Sequence, residues 1–163
     1  LDVPSDVVRF AVFMRFLAPP TPAPDTDTIV RGRKLFEDVG CAMCHTPTLH
    51  TGKKTAVGAL QNKDVNLYSD LMLHNMGPGL ADDVSQGNAG GDEFRTAPLW
   101  GIGKRIFFLH DGRTKDLLEA IQAHAGSGGG QQYAPSEANQ VVGQFNWLNE
   151  IDKQHMLNFL RAL

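Results

Sequence analysis

Cysteine is almost missing from this chain of 163 residues: it has two, Cys41 and Cys44, against six histidines. So few exclude a disulfide framework, and a bridge between these two would close a loop of only four residues. They also fall short of a structural zinc site, which needs two further ligands at paired spacing. Long apolar runs are missing too. The nearest, Val7 to Leu17, is shorter than the roughly 18 residues of a membrane span and carries Arg9 and Arg15. Neither sign of charge is in excess, with 15 basic and 18 acidic residues. That excludes the basic footprint of a nucleic-acid binder, and no run of like charges marks a disordered tail. The sequence starts at Leu1 without a signal-peptide pattern, and we expect a mature or excised piece. Glycine and proline, by contrast, are plentiful at 17 and 9. A length suited to one domain with appendages, a lean apolar fraction of 42% and so many loop formers suggest that something other than side chains fills the middle.

Helical periodicity marks the two ends of the chain. Residues 4–17 read as a helix, apolar on more than one face and so expected to be buried against a neighbour. Pro19, Pro20, Pro22 and Pro24 then form a stiff linker. A second helix spans about 28–38, carries Leu35 and Phe36, and is closed by Gly40. Residues 46–98 lack helical period, with only Val65 to Leu73 regular enough for a short element. A loop region this long usually wraps something functional. Beyond it we expect helices over 114–124, with Leu117, Ile121 and His124 on one face and a glycine run (126–130) at its end, then over about 135–148 and 152–163. Asn149 to Asp152 resembles a capping box at the start of the last. Laid over each other at an offset of 146, Asp6–Leu17 and Asp152–Leu163 match Asp with Asp and Arg15 with Arg161. The same offset pairs Phe10 with Met156, Phe13 with Phe159, Met14 with Leu160 and Leu17 with Leu163. Two readings stand: residues 1–24 are the end of a preceding, similar domain, with a domain at 25–163, or the two helices are unrelated.

Between the second helix and the long loop stands Cys41-Ala42-Met43-Cys44-His45, the spacing of c-type haem attachment. Two thiols at i and i+3 on a tight turn reach the two vinyl groups of one porphyrin, and the adjacent imidazole is then held beneath the iron. A redox Cys-x-x-Cys would want a βαβ setting, which the pattern lacks. We therefore expect one covalent haem c with His45 as proximal ligand. A porphyrin would also supply the missing apolar interior. Because thioethers of this kind are made outside the cytoplasm, the expected location is periplasmic or extracellular.

What occupies the other face of the iron decides the redox role. His50 is tied too near His45, and His155 sits among polar residues where a solvated ring is expected. His74 and Met76 lie in the loop region and could swing over the ring. His124 lies on the apolar face of its helix, where a group aimed at a buried ring belongs, and His110 flanks the same helix. Spacing alone leaves His124, His110, the His74/Met76 pair and an open site standing.

Three further segments carry a resemblance. Phe94-Arg95-Thr96-Ala97-Pro98-Leu99-Trp100, Phe108-Leu109-His110-Asp111-Gly112-Arg113 and Leu118-Glu119-Ala120-Ile121 resemble the C-terminal haem domain of the bacterial di-haem cytochrome c peroxidase superfamily, in its thiol-oxidoreductase-like branch. Gly32-Arg33-Lys34-Leu35-Phe36 before the haem motif and Cys44-His45-Thr46-Pro47-Thr48-Leu49 across its end are similar to that branch too. The likeness runs from about Asp25 to the C-terminus. It implies a mostly α, cytochrome c-like domain of four to five helices around one covalent haem, with long Gly-rich loops. In that superfamily the distal ligand stands fourteen residues after the histidine of His-Asp-Gly, as methionine in the peroxidases and tyrosine in the methylamine dehydrogenase maturation enzyme. Here that position is His124.

The resemblance thus implies a His45/His124 pair, and two imidazoles favour ferric iron relative to a His/Met pair. It leaves His110 a structural hydrogen bond and makes Arg95, Trp100 and Arg113, with Lys104 and Arg105, candidates for the haem propionates. The peroxidases bind calcium between domains, but no acidic cluster here would fix one. The expected function is one-electron transfer through a low-spin haem, to a redox protein partner or an adjacent redox domain, by a monomer with no nucleic-acid partner and no membrane span. The alternative is the haem domain of a di-haem peroxidase or oxidoreductase that takes part directly in catalysis.

Overall fold

The computed structural model describes residues 5–127 and 133–163. Five helices dominate it: α1 (Asp6–Arg15), α2 (Asp27–Val39), α3 (Leu117–Gln122), α4 (Asn139–Trp147) and α5 (Glu150–Ala162). The core forms where α2 and α5 cross. Their apolar stripes place Leu35, Phe36 and Val39 against Met156, Phe159, Leu160 and Leu163, with Phe145 of α4 and Leu117 of α3 closing the cluster. Phe145, Met156 and Phe159 are fully shielded from solvent, and burial of each such side chain contributes about 1.5–3 kcal/mol. The crossing is close because α2 presents Gly32 to α5. A Cβ there would lie 2.1 Å from the His155 carbonyl oxygen. The pair is latched at its rim by a bidentate bond from Arg31 to Asp152, at 3.0 and 3.1 Å.

Capping sets the ends of both helices. The Thr26 hydroxyl accepts from the Ile29 amide at 3.4 Å and opens α2. The Asn149 side chain accepts from the Asp152 amide at 2.9 Å and opens α5, so the anticipated capping box is present and starts the helix two residues early. The third and fourth helices are shorter than their periodicity suggests. Thr114 is drawn into a bridge with Phe108, and Asp116 caps α3 instead. Ser136 turns back onto the His124 carbonyl, delaying α4 to Asn139. Pro4 and most of the glycine run at 126–130 lie outside the described residues.

The long loop region carries four strands too short to leave a periodic signature: β1 (Leu49–His50), β2 (Asp64–Val65), β3 (Leu73–Asn75) and β4 (Glu93–Arg95). They form two antiparallel pairs, with Leu49 opposite Val65 and His74 opposite Phe94. The element anticipated at Val65 to Leu73 is instead a connection between β2 and β3, and at Tyr68 and Leu71 its backbone is left-handed, with φ of 55° and 61°.

The first helix corrects an expectation. It was read as buried, yet none of its residues is, and Phe10 and Phe13 are 63% and 58% exposed. Its apolar faces find no cover among the described residues. The linker that follows is nevertheless tied down. The Ala23 amide donates to the Ala162 carbonyl at 2.7 Å, and Pro20 packs on Gly101.

Candidate haem site

Helix α2 ends at Gly40, whose φ of 99° is the left-handed conformation that glycine adopts without strain. The chain then turns through a 3-10 turn at Cys41–Met43, and the His45 amide closes it on the Cys41 carbonyl at 3.0 Å. This turn sets the two thiols and the imidazole on one side of the end of α2, with Phe36 6.3 Å from the His45 ring. Both cysteines are free and half-buried. Burial pushes the Cys41 thiol up to about 12, and burial with the nearby Asp70 and Glu137 carboxylates raises that of Cys44. Thiols held protonated in this way suit neither a redox dithiol nor a zinc thiolate site, both of which rely on depressed values.

Across from His45 stands His124. The ring centres are 6.4 Å apart, with planes inclined by 59°. Each ring is gripped through one nitrogen by the main chain: His45 Nδ1 lies 3.1 Å from the Tyr68 carbonyl oxygen, and His124 Nδ1 lies 2.7 Å from that of Ala120. A carbonyl can only accept, so both Nδ1 atoms carry hydrogen and donate. Burial holds both imidazoles neutral, lowering His45 to about 4 and His124 in the same direction. In both rings the basic lone pair is therefore on Nε2. The Ala120 carbonyl is available because α3 ends here. The His124 amide turns to Ile121 at 3.2 Å, leaving an orphan acceptor at the helix terminus that the histidine's own side chain fills.

The spacing can be tested against a metal. With a metal–imidazole bond of about 2.0–2.1 Å and about 1.2 Å from nitrogen to ring centre, two imidazoles trans on one ion stand about 6.3–6.5 Å apart. The observed separation agrees. Two neutral imidazoles locked at Nδ1, facing each other from opposite sides and with paired thiols beside one of them, fit a haem.

The other candidates are engaged elsewhere. His74 has both nitrogens on carboxylates, Nε2 2.9 Å from Asp70 and Nδ1 2.8 Å from Glu137, and it lies 3.7 Å from the Cys44 sulfur rather than opposite His45. Cys44, Asp70 and His74 are the one metal-competent cluster of three or more among the described residues, but the raised Cys44 thiol makes it a poor one. Met76 donates its amide to the Asp92 carbonyl and its carbonyl faces Gly126. His110 stacks on Phe94 at 4.4 Å and lies 4.0 Å from Asp82, a structural place like the one expected for it. His50 is paired with Asp64 across β1 and β2. His155 is not the solvated ring expected: its side chain is 25% exposed and its Nδ1 has no hydrogen-bond partner, because the approach to Gly32 draws it against α2.

The proposed propionate residues lie on three separate elements. Arg95 is exposed on β4 and Trp100 is half-buried before the turn at Ile102–Lys104. Arg113 binds Asp111 at 2.6 Å and the Gly79 carbonyl at 2.8 Å. Lys104 and Arg105 are exposed. Composition and spacing pointed to none of Tyr68, Ala120, Asp70 and Glu137. Only the bond to Ala120 had a signal, since a histidine just past a helix end reaches the carbonyl four residues back.

Fold and site together define a mainly helical domain built to hold a haem between facing imidazoles. The chain belongs to the di-haem oxidoreductase family: the family model described as "Di-haem oxidoreductase, putative peroxidase" matches residues 2–163. Membership implies a haem cofactor and redox chemistry. A comparison with curated proteins gives no match. Among solved structures, the chain is similar in fold to a hydrazine synthase of Kuenenia stuttgartiensis, at 20% identity and a TM-score of 0.57, over 93% of this chain and 52% of that one. It is also similar to a MauG-like protein associated with microbial copper homeostasis, at 23% identity and a TM-score of 0.50, over 86% and 47%. The chain thus spans about half the length of the solved chains it matches. No helix among the described residues is long and apolar enough to cross a membrane.

Proposed function

We propose that this domain transfers single electrons through one haem c, joined by thioethers to Cys41 and Cys44 and ligated by His45 and His124. The observation that carries the reading is the pair of Nε2 lone pairs set on facing rings 6.4 Å apart, each fixed by a main-chain carbonyl at its Nδ1. When bound, the haem supplies a one-electron ferric/ferrous couple. The chain's own residues hold both imidazoles in one tautomer and keep them neutral. They also pack Phe36 and the α2/α5 core behind the proximal ring. Two strong ligands saturate the iron, which suits relay to a protein partner or neighbouring redox domain and sets a lower potential than a His/Met pair. Arg95, Trp100 and Arg113 serve the propionates in this reading, and thioether formation places the protein in the periplasm or outside the cell.

His124→Gly should convert the oxidised protein from low-spin to high-spin, read in its absorption spectrum. An unchanged low-spin spectrum would discard His124 as the ligand, and a methionine–iron charge-transfer band would redirect the assignment to Met76. On a denaturing gel the haem should migrate with the chain, and the double variant Cys41→Ala/Cys44→Ala should release it. The family description favours a second reading, in which this domain joins directly in catalysis. Fast carbon monoxide binding to the reduced protein would support that reading against the carrier, because it requires a labile sixth ligand.

A further inference from the structure

Helix α1 and helix α5 carry one pattern in two surroundings. Phe10, Phe13, Met14 and Leu17 are 63%, 58%, 50% and 49% exposed, whereas their counterparts Met156, Phe159, Leu160 and Leu163 are at most 9% exposed. With Val7, Val8, Val12 and Phe16 also open, the eight side chains present on the order of 700 Å² of apolar surface, above the roughly 300–600 Å² of the largest patch on a typical monomer. The linker does not leave this helix loose, since its Ala23 amide is bonded to α5 and its Pro20 is seated on Gly101.

We propose that α1 is the closing helix of a second domain of this same fold, and that its Phe10–Phe13–Met14–Leu17 face seats on that domain's counterpart of α2. What α5 meets in this chain states what α1 requires. Asp152 is held by Arg31, and Asp6 stands in its place. The His155 carbonyl and Phe159 close on Gly32, and Arg9 and Phe13 stand in theirs. Phe159 also packs edge-on to Phe36 with ring centres 5.4 Å apart. The occupant must therefore present arginine, then glycine, then an aromatic four residues further on: Arg-Gly-x-x-x-Phe on one helix. In this domain that helix runs directly into the cysteine motif, so the same arrangement places a second Cys-x-x-Cys-His just after it. The family is di-haem, and this sequence holds one such motif. The pairing needs no iron ligation, so it stands or falls separately from the His124 assignment.

The test uses the full-length gene product beside the 163-residue chain. The coding sequence ahead of Leu1 should contain Arg-Gly-x-x-x-Phe followed by Cys-x-x-Cys-His. Amides of residues 8–16 should exchange with deuterium on the order of 100-fold more slowly in the full-length protein than in the shorter chain. Phe13→Asp should abolish that protection while leaving α2 and α5 as protected as before; if it does not fold, Phe13→Ala should show the same regional loss in weaker form. Equal exchange in the two proteins would overturn the proposal. So would protection of α1 in the shorter chain accompanied by a dimer mass, which would make a second copy the occupant.

Discussion

Gly32 shows how one missing side chain sets the geometry of the whole core. A Cβ there would stand 2.1 Å from the His155 carbonyl oxygen and 2.8 Å from the Phe159 Cβ, both on an opposing helix that cannot yield without moving the core. Gly32→Ala should gain up to about 1 kcal/mol in helix propensity and lose about 1–3 kcal/mol to overpacking. The clash should win, and the denaturant midpoint should fall. Phe159→Ala opens a cavity in a fully buried position and should cost about 3–5 kcal/mol. Trp147, 91% exposed, is the contrasting case. Its replacement by alanine should stay within about 0.5 kcal/mol, measured the same way. At this scale the sequence was partly legible. The helix-face argument placed His124 opposite a buried ring, and the structure sets it facing His45. Tyr68 had no such signal, because a carbonyl offered from a left-handed residue depends on backbone conformation and not on the side chain.

Among the elements, β3 is joined to the start of α4 and to the cysteine turn by one cluster. His74 bridges Asp70 and Glu137, and the Glu137 carboxylate also accepts the Asn75 amide at 3.0 Å. Burial alone would lower the imidazole, but its hydrogen bonds to Glu137 and Asp70 outweigh this and raise it. For Asp70, burial acts upward and is outweighed by bonds from the Met72 amide and His74. For Glu137, the His74 bond comes first, and both carboxyls end below their ordinary range. A raised histidine stabilises the fold in full below its unfolded value near about 6.5 and loses that contribution as pH rises through the folded one. The depressed carboxylates contribute fully above about pH 5 and lose it as pH falls through theirs. The cluster should thus stabilise most between about pH 5 and 6.5. Thermal midpoints should show His74→Gln and wild type diverging most in that window and converging at alkaline pH. A constant difference across pH would remove the ionic account of the cluster. None of this arrangement was readable beforehand. Strands of two or three residues cannot show alternation, and the partners are 63 residues apart in sequence.

For the molecule as a whole, the main features were legible where periodicity was strong. The helices at both ends and the loop-rich middle stand where the pattern put them. The exception is α1, which was read as buried and is not, and the reason is physical. An apolar pattern reports that a helix needs cover, but not which body supplies it. Removing the haem should be felt unevenly across this architecture. A cofactor bound only by the folded state stabilises it by mass action, and its contacts in the proposed arrangement fall on the cysteine turn, on the Tyr68 region and past the end of α3. The apoprotein should therefore lose exchange protection at residues 41–45, 68–70 and 120–125, while the α2/α5 crossing retains most of its own. Uniform loss across all helices would mean that the core depends on the porphyrin throughout.

The grip on the two imidazoles comes from the Tyr68 and Ala120 carbonyls, and this has a genetic consequence. A side chain that orients a ligand can be deleted by one codon change, whereas every residue type brings a carbonyl. Substitutions at positions 68 and 120 can therefore loosen the grip only by displacing the backbone. A library of replacements at Ala120 should tolerate every residue that keeps α3 helical, with proline the sharp exception. The tautomer of both histidines is inherited from the path of the chain, and so can persist while the residues that supply it drift.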